Sequence, residues 1–423
     1  MQKLGFWPVF ALVTGSQIGT GILMVPANLA SYGFYSFLGW ALSACGAIFL
    51  ALVFAQLCAK FPRTGGPHAY IQMAFGTRSA FITAWTYWII SWASTAAVII
   101  GCIGYLTPLI GDHGPLVRLI LQLTLLFMIV FVNLKGVSAA GSAEVFLSAL
   151  KFIPLFVLPL IALFFFSPAN IITLETHTST FDMIMRTALL TMWCFVGVET
   201  ATTPAGSVHE PHKTIPRALV AGTVSVAFLY IFNSLGIMGC LPAKLLSTSQ
   251  APYTDATYAI FNSSICSNLI SLIASIICLG TLNAWVLSSS QVALGASQDG
   301  FFPKFFQNRN QNGAARWSII ASSVGLVPIL CLTADDNVAN QILTVIDISV
   351  TAFLFVYLFC SFALMKFMIK EKEKSWIKWI YVFGASSFCL FVISATPFNN
   401  LCIALVLPVS GCLISFFMKR KIF

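Results

Sequence analysis

Long apolar runs separated by short, turn-rich polar breaks cover nearly the whole chain. Twelve such runs lie near 7–31, 35–59, 80–110, 115–134, 144–166, 185–206, 217–240, 264–297, 316–334, 341–366, 376–396 and 399–418. A helix needs about twenty mostly apolar residues to cross the hydrocarbon core, whereas a membrane strand shows about ten residues of alternating polarity. Each run therefore predicts a membrane-spanning helix. The third and eighth are long enough to tilt or to pass beyond the bilayer. No connection is long enough to hold a separate soluble domain, so one transmembrane domain is expected over 1–423.

Two runs interrupt their own pattern. The first contains Gly15-Ser16-Gln17-Ile18-Gly19-Thr20-Gly21, followed by Pro26. The sixth contains Trp193-Cys194-Phe195-Val196-Gly197-Val198-Glu199-Thr200, followed by Pro204. The three glycines of the first weaken helix, and in the sixth a glycine and an acid sit among apolar residues. Bare backbone at membrane depth is tolerated only where protein buries it or it lines a cavity. Its free N–H groups can meet an anion and its free carbonyls a cation, so a broken helix at the midplane is a candidate binding site. The bland alternative is a close-packing face of small residues, which Gly15-xxx-Gly19 also fits. Breaks in runs 1 and 6 predict two five-helix repeats, about 7–166 and 185–366. The repeats are inverted, because runs five apart cross the membrane in opposite directions. Helices 11 and 12, about 376–418, follow them. The expected fold is thus an all-α polytopic membrane protein with 12 transmembrane helices, five-plus-five inverted repeats and broken helices 1 and 6.

Composition agrees with this and adds little: 58% of residues are apolar, 8% are charged, and mean hydropathy is +0.91. Charge adds direction. The net +9 could suggest a nucleic-acid partner, but eighteen of the 22 Lys and Arg fall on one set of connections and ends. Arg118, Arg186 and Lys244 fall on the other set, and Lys151 lies within a run. That bias predicts both termini in the cytoplasm, with no nucleic-acid partner. The first run is too long for a signal-peptide core and is expected to stay as an anchor. The 12 cysteines lie mostly within runs and read as small apolar packing residues.

The two breaks combine with Pro26-Ala27-Asn28-Leu29-Ala30, Gly65-Gly66-Pro67-His68-Ala69-Tyr70, Ile215-Pro216-Arg217-Ala218, Trp285 and Asp299-Gly300-Phe301-Phe302-Pro303. In this order and spacing the chain resembles the amino acid–polyamine–organocation superfamily, and within it the basic amino acid/polyamine antiporters. The resemblance implies exchange of a cationic amino acid for its decarboxylated amine, of the arginine/agmatine kind, by alternating access. It implies a substrate site at Ser16, Gln17, Ile18, Thr20, Gly21, Ile90, Ser91, Thr95, Trp193, Cys194, Val196, Trp285 and Ser349. The substrate carboxylate would meet the Thr20 hydroxyl and nearby amides at the start of a helix, a natural anion site. The α-amino group would meet the carbonyls of Gln17, Trp193 and Val196. The Trp285 face would hold the cationic side chain. Tyr87, Trp92, Trp193, Glu199 and Tyr357 resemble gates, with Trp193 closing over substrate and Tyr87, Glu199 and Tyr357 sealing the outer vestibule. Thr95 stands where arginine/agmatine exchangers carry an asparagine, and Gln17 where they carry an aliphatic residue.

Lys151 is the coupling candidate. It lies about seven residues into the fifth run, too deep to reach an interface easily. It resembles the lysine of proton-coupled permeases in the same superfamily, where the ammonium stands in for a coupling cation. Glu199 is read as the one acid deep within a run, where a charge is costly and usually functional. His68, His209 and His212 fall in cytoplasmic loops and His113 and His177 in outer ones, so neither a metal site nor His-based catalysis is expected. No cofactor is expected. The expected partners are a small amino acid or amine and the lipid bilayer of the inner (plasma) membrane, with a homodimer left open. The rival within the class is a proton-coupled amino acid permease using Lys151. More distant rivals are a membrane-embedded enzyme, which would need an intramembrane acid/base pair, and a channel.

Overall fold

The computed structural model describes residues 3–111, 114–174, 178–249, 251–332 and 338–417. His113 and His177 fall outside them. The described residues are almost entirely helical. They form α1 (Phe6–Gln17), α2 (Thr20–Ala30), α3 (Tyr35–Lys60), α4 (Pro67–Phe75), α5 (Thr77–Ile110), α6 (Gly114–Leu134), α7 (Val137–Ala162), α8 (Thr180–Phe195), α9 (Pro211–Cys240), α10 (Ala243–Leu246), α11 (Pro252–Phe261), α12 (Ser264–Gln298), α13 (Arg316–Val324), α14 (Leu326–Leu332), α15 (Val338–Lys370), α16 (Trp376–Ser394) and α17 (Phe398–Phe417).

Eleven spans among these residues are long and apolar enough to cross a membrane, with α1 and α2 together making the first. The expected ninth span is the exception. Arg316–Leu332 is shorter than the others and is divided at Gly325 into α13 and α14. Both breaks read from the sequence are present. Between α1 and α2, Ile18 and Gly19 leave helical geometry (Ile18 ψ 95°, Gly19 φ −147°). After α8 the chain turns at Val196 and Gly197 and continues in short 3-10 segments, Thr200–Thr202 and Ala205–Ser207.

Burial sorts the spans into centre and rim. In the most apolar stretch of the first span 83% of residues are buried, against 17% for α6 and α17. Leu116 and Phe127 on α6 and Phe398 on α17 are among the most exposed apolar side chains, as lipid contact requires. The two long helices α5 and α12 pack along each other, and α3 packs on α8 and α9. α1 lies between α9, α7 and α12, so the first break is enclosed on all sides.

Two tie points define the ends of the bundle. At one end Leu4 pairs with Val208, and Gly65 N–H donates to the Thr203 carbonyl (2.9 Å). There too Arg63 Nη2 donates to Asp299 Oδ1 (2.8 Å). At the other end Tyr32 pairs with Thr173. The first end carries the Lys- and Arg-rich connections. His68, expected in a loop, is 1% exposed in the first turn of α4, with Nε2 3.3 Å from Asp299 Oδ2.

Candidate functional site

The ends of broken helices carry backbone groups with no partner inside their own helix, and here other elements supply most of the partners. At the end of α1, the Ser16 carbonyl accepts from Trp285 Nε1 (3.2 Å). The Gln17 carbonyl accepts from the Tyr230 hydroxyl (2.7 Å), which also lies 2.9 Å from the Cys194 carbonyl at the end of α8. A hydroxyl has one proton, so Tyr230 shares it between the two broken helices. The Ile18 carbonyl accepts from Thr281 Oγ1 (2.5 Å) and Lys151 Nζ (2.9 Å), and the Gly15 carbonyl from Lys151 Nζ (2.9 Å). Tyr230 and Thr281 lack a distinguishing signal in the sequence, because each is one hydroxyl among many on its helix.

The start of α2 differs. Gly19 offers no side-chain cap, and Gly19, Thr20 and Gly21 line a cavity of about 20 Å³. The rest of its wall is Ser16, Gln17, Val98, Trp193, Cys194, Val196, Thr281 and Trp285. An amino acid is far larger than this, so side chains must move to admit one. The two tryptophans in its wall are 8% and 3% exposed. Gly197 lets the breaks approach. Its φ is +105°, and a Cβ there would lie 3.1 Å from Ser16 Oγ and 3.2 Å from the Trp285 ring. Ser16 Oγ instead donates to the Gly197 carbonyl (3.0 Å).

Of the residues expected at the site, Ser16, Gln17, Thr20, Gly21, Trp193, Cys194, Val196 and Trp285 line this cavity. Ile18 is buried beside it and contributes its carbonyl. Ile90, Ser91, Thr95 and Ser349 are buried but do not reach the wall. Ser91 donates to Ser289 (2.9 Å), and Thr95 donates to the Ser91 carbonyl (2.6 Å). Gly19, Val98 and Thr281 join the wall in addition to the expected residues. Trp92 packs against Trp88 and beside Gly325, away from the cavity.

Glu199 is fully buried between two tyrosines. Tyr87 donates to one carboxylate oxygen (2.5 Å) and Tyr357 to the other. Phe353 packs against Tyr87, Trp285 and Tyr357 and links this group to the cavity wall. The expected outer seal is corrected here. Tyr87 lies near the Thr77 end of α5, and Glu199 lies past the break toward Ser207. The nearby Ser288 lies past Trp285 toward Asp299. The group therefore stands between the cavity and the Lys- and Arg-rich end, opposite the end marked by Tyr32 and Thr173.

The expectation of a single deep acid is also corrected. Helix α7 begins at Val137, several residues before the apolar run that predicted it, so Glu144 sits two turns inside the helix. It is fully buried, 3.8 Å from Lys151 Nζ. The small, weakly apolar stretch Ser138–Ser142 hid it, because such residues lower hydropathy without ending a helix.

An all-helical bundle of membrane spans, with two interrupted helices meeting around a small central cavity, has the architecture of a secondary transporter. The chain belongs to the amino acid permease family, whose sequence model matches residues 4–415. It is 30% identical to the cadaverine/lysine antiporter of Escherichia coli K12 over 351 residues, covering 80% of this chain and 77% of that one. It is 28% identical to a putative arginine/ornithine antiporter of Bacillus subtilis 168 over 410 residues, covering 89% and 87%. It is 26% identical to the putrescine transporter of Escherichia coli K12 over 368 residues, covering 86% and 83%. The chain is accordingly a multi-pass membrane transporter of small molecules, and not an enzyme.

Proposed function

We propose that this protein exchanges a cationic amino acid for its decarboxylated amine across the inner (plasma) membrane, with both termini in the cytoplasm. The observation that carries the reading is the uncapped start of α2 facing a cavity walled by Trp193 and Trp285. Amides at a helix start attract a carboxylate, and an aromatic face attracts an ammonium or guanidinium. A diamine lacks the carboxylate and keeps the cation, so one site serves both substrates. Relatives named for lysine and cadaverine, arginine and ornithine, and putrescine support a basic substrate. Thr95 offers one hydroxyl whose proton already goes to the Ser91 carbonyl. It also stands off the cavity wall, so it does not choose between an ammonium and a guanidinium substrate.

Lys151 at the carbonyl end of α1 favours one second reading, proton-coupled uptake of an amino acid. Uptake of labelled lysine, ornithine and arginine into proteoliposomes, empty or preloaded with cadaverine, putrescine or agmatine, separates the two. Exchange predicts uptake only with a preloaded counter-substrate. Strong accumulation in empty vesicles under a pH gradient would sink the exchange reading.

A further inference from the structure

Lys151 and Glu144 stand two helical turns apart on one face of α7, both with no exposed side-chain surface. The neighbours of Lys151 fix the directions of its hydrogen bonds. Lys151 Nζ meets the Gly15 carbonyl (2.9 Å), the Ile18 carbonyl (2.9 Å) and Thr281 Oγ1 (3.1 Å). The carbonyls only accept. Thr281 directs its own proton to the Ile18 carbonyl, so it too faces the nitrogen with a lone pair. Three acceptors match the three N–H bonds of an ammonium, whereas a neutral amine would turn its lone pair on one of them.

Glu144 shows the complementary pattern. Asn283 Nδ2 lies 3.1 Å from the Ala140 carbonyl, an acceptor, which orients the amide with its NH₂ toward Glu144 Oε2 at 2.7 Å. Asn133 donates to the Asn283 oxygen (3.1 Å) and secures the same orientation. Ser148 Oγ lies 3.4 Å from Oε1. The Asn283 amide thus gives Oε2 a fixed donor, as a carboxylate requires, while Ser148 Oγ also lies 3.3 Å from the Ala11 carbonyl. α1 makes room for it at Gly15, where a Cβ would fall 1.8 Å from Oε1. Among the described residues, the other titratable group facing the lysine is the Cys278 thiol on α12.

We propose that Glu144 is a fixed counter-charge that keeps Lys151 an ammonium throughout transport, making it a tethered, non-transported cation bound to the broken end of α1. The proposal rests on the transporter reading above and assigns its mode: exchange moves no proton through Lys151. Removing the carboxylate alone would leave an unpaired charge in a dry interior, which neutralisation relieves. Glu144 is thus a positioning residue for the lysine, and its loss should create a pH dependence that the native protein lacks.

The test uses the full-length protein in proteoliposomes, with labelled lysine outside and unlabelled lysine inside, so that both sides carry the same substrate. Wild type should exchange at a nearly constant rate from about pH 6 to about pH 8.5, a range in which the substrate side chain stays charged. Glu144→Gln should match it at the acid end, then fall by roughly tenfold per pH unit once Lys151 discharges. Glu144→Asp should restore a flatter profile. A Glu144→Gln profile that overlays wild type overturns the proposal. A pH-sensitive dye inside wild-type vesicles provides a measurement independent of any variant's folding. No lysine-dependent proton entry is expected, either during exchange or into vesicles without internal lysine, and such entry in wild type overturns the proposal. Failure of the exchange reading looks different: wild-type uptake would then not depend on internal substrate at any pH, whatever the dye reports.

Discussion

The indole of Trp285 donates its one N–H to the Ser16 carbonyl while its ring closes a wall of the cavity. Trp285→Ala should therefore weaken binding of a cationic substrate by about 1–2 kcal/mol, the worth of a partly desolvated cation–π contact. Trp285→Phe should fall between, since it keeps an aromatic face and loses the hydrogen bond. Calorimetric titration of the purified protein reads this, and unchanged affinity in the folded alanine variant removes Trp285 from the site. Glu199 accepts from two tyrosines on α5 and α15. Glu199→Gln keeps the shape and removes the charge. Its amide NH₂ must face one tyrosine hydroxyl, which then has to accept instead of donate. Transport and its pH profile should change while the fold persists, and profiles that overlay wild type would leave Glu199 with a structural role only.

At the scale of elements, the site is the meeting of two helix ends. The α1 carbonyls are tied to α7, α9 and α12 through Lys151, Tyr230, Thr281 and Trp285, while Gly19, Thr20 and Gly21 at the start of α2 line the cavity. The α8 break approaches only because Gly197 has no side chain and a positive φ. Gly197→Ala should cost at least about 1 kcal/mol from the backbone alone. It should also push Ser16 and Trp285 away from span 6. The expected outcome is a lowered melting temperature in detergent together with reduced transport; a variant with wild-type melting and transport would show that the close approach is dispensable. The breaks themselves were legible, the first as a glycine cluster and the second as a glycine and an acid among apolar residues, each with proline beyond it. Which carbonyl each partner holds was not, because that depends on how far α7, α9 and α12 are rotated about their axes.

For the molecule as a whole, the cavity is shut toward the Lys- and Arg-rich end by two layers. The Glu199–tyrosine group lies nearest the cavity. Farther out, Arg63 pairs with Asp299, and Gly65 N–H is held by the Thr203 carbonyl of span 6. The outer layer links the α3–α4 loop, the end of α12 and the tail of span 6, parts that must separate if this end is to open. Asp299→Asn should weaken that link and shift the population toward a state open at this end. Alkylation of the native buried Cys58 and Cys360, read peptide by peptide by mass spectrometry, should then rise. Labelling equal to wild type would make the pair a loop anchor and not a latch.

Hydropathy and helix propensity are local, and so the sequence alone determined the membrane spans, the two interruptions and the charge asymmetry between the ends. The amino acid permease family was legible in the order of its motifs. The same locality set the limits. The span 316–334 passed on apolarity, yet the chain divides it at Gly325. Glu144 was placed at a membrane edge because the residues before it are small and only weakly apolar. Tertiary structure decided that it faces Lys151, that Lys151 reaches a carbonyl 136 residues away, and that Thr281 reaches one 263 residues away. It also decided that Tyr87, Glu199 and Tyr357 close the Lys- and Arg-rich side of the cavity and not the other. Such pairings are set by how helices distant in sequence are rotated and packed, and no window along the chain contains that information.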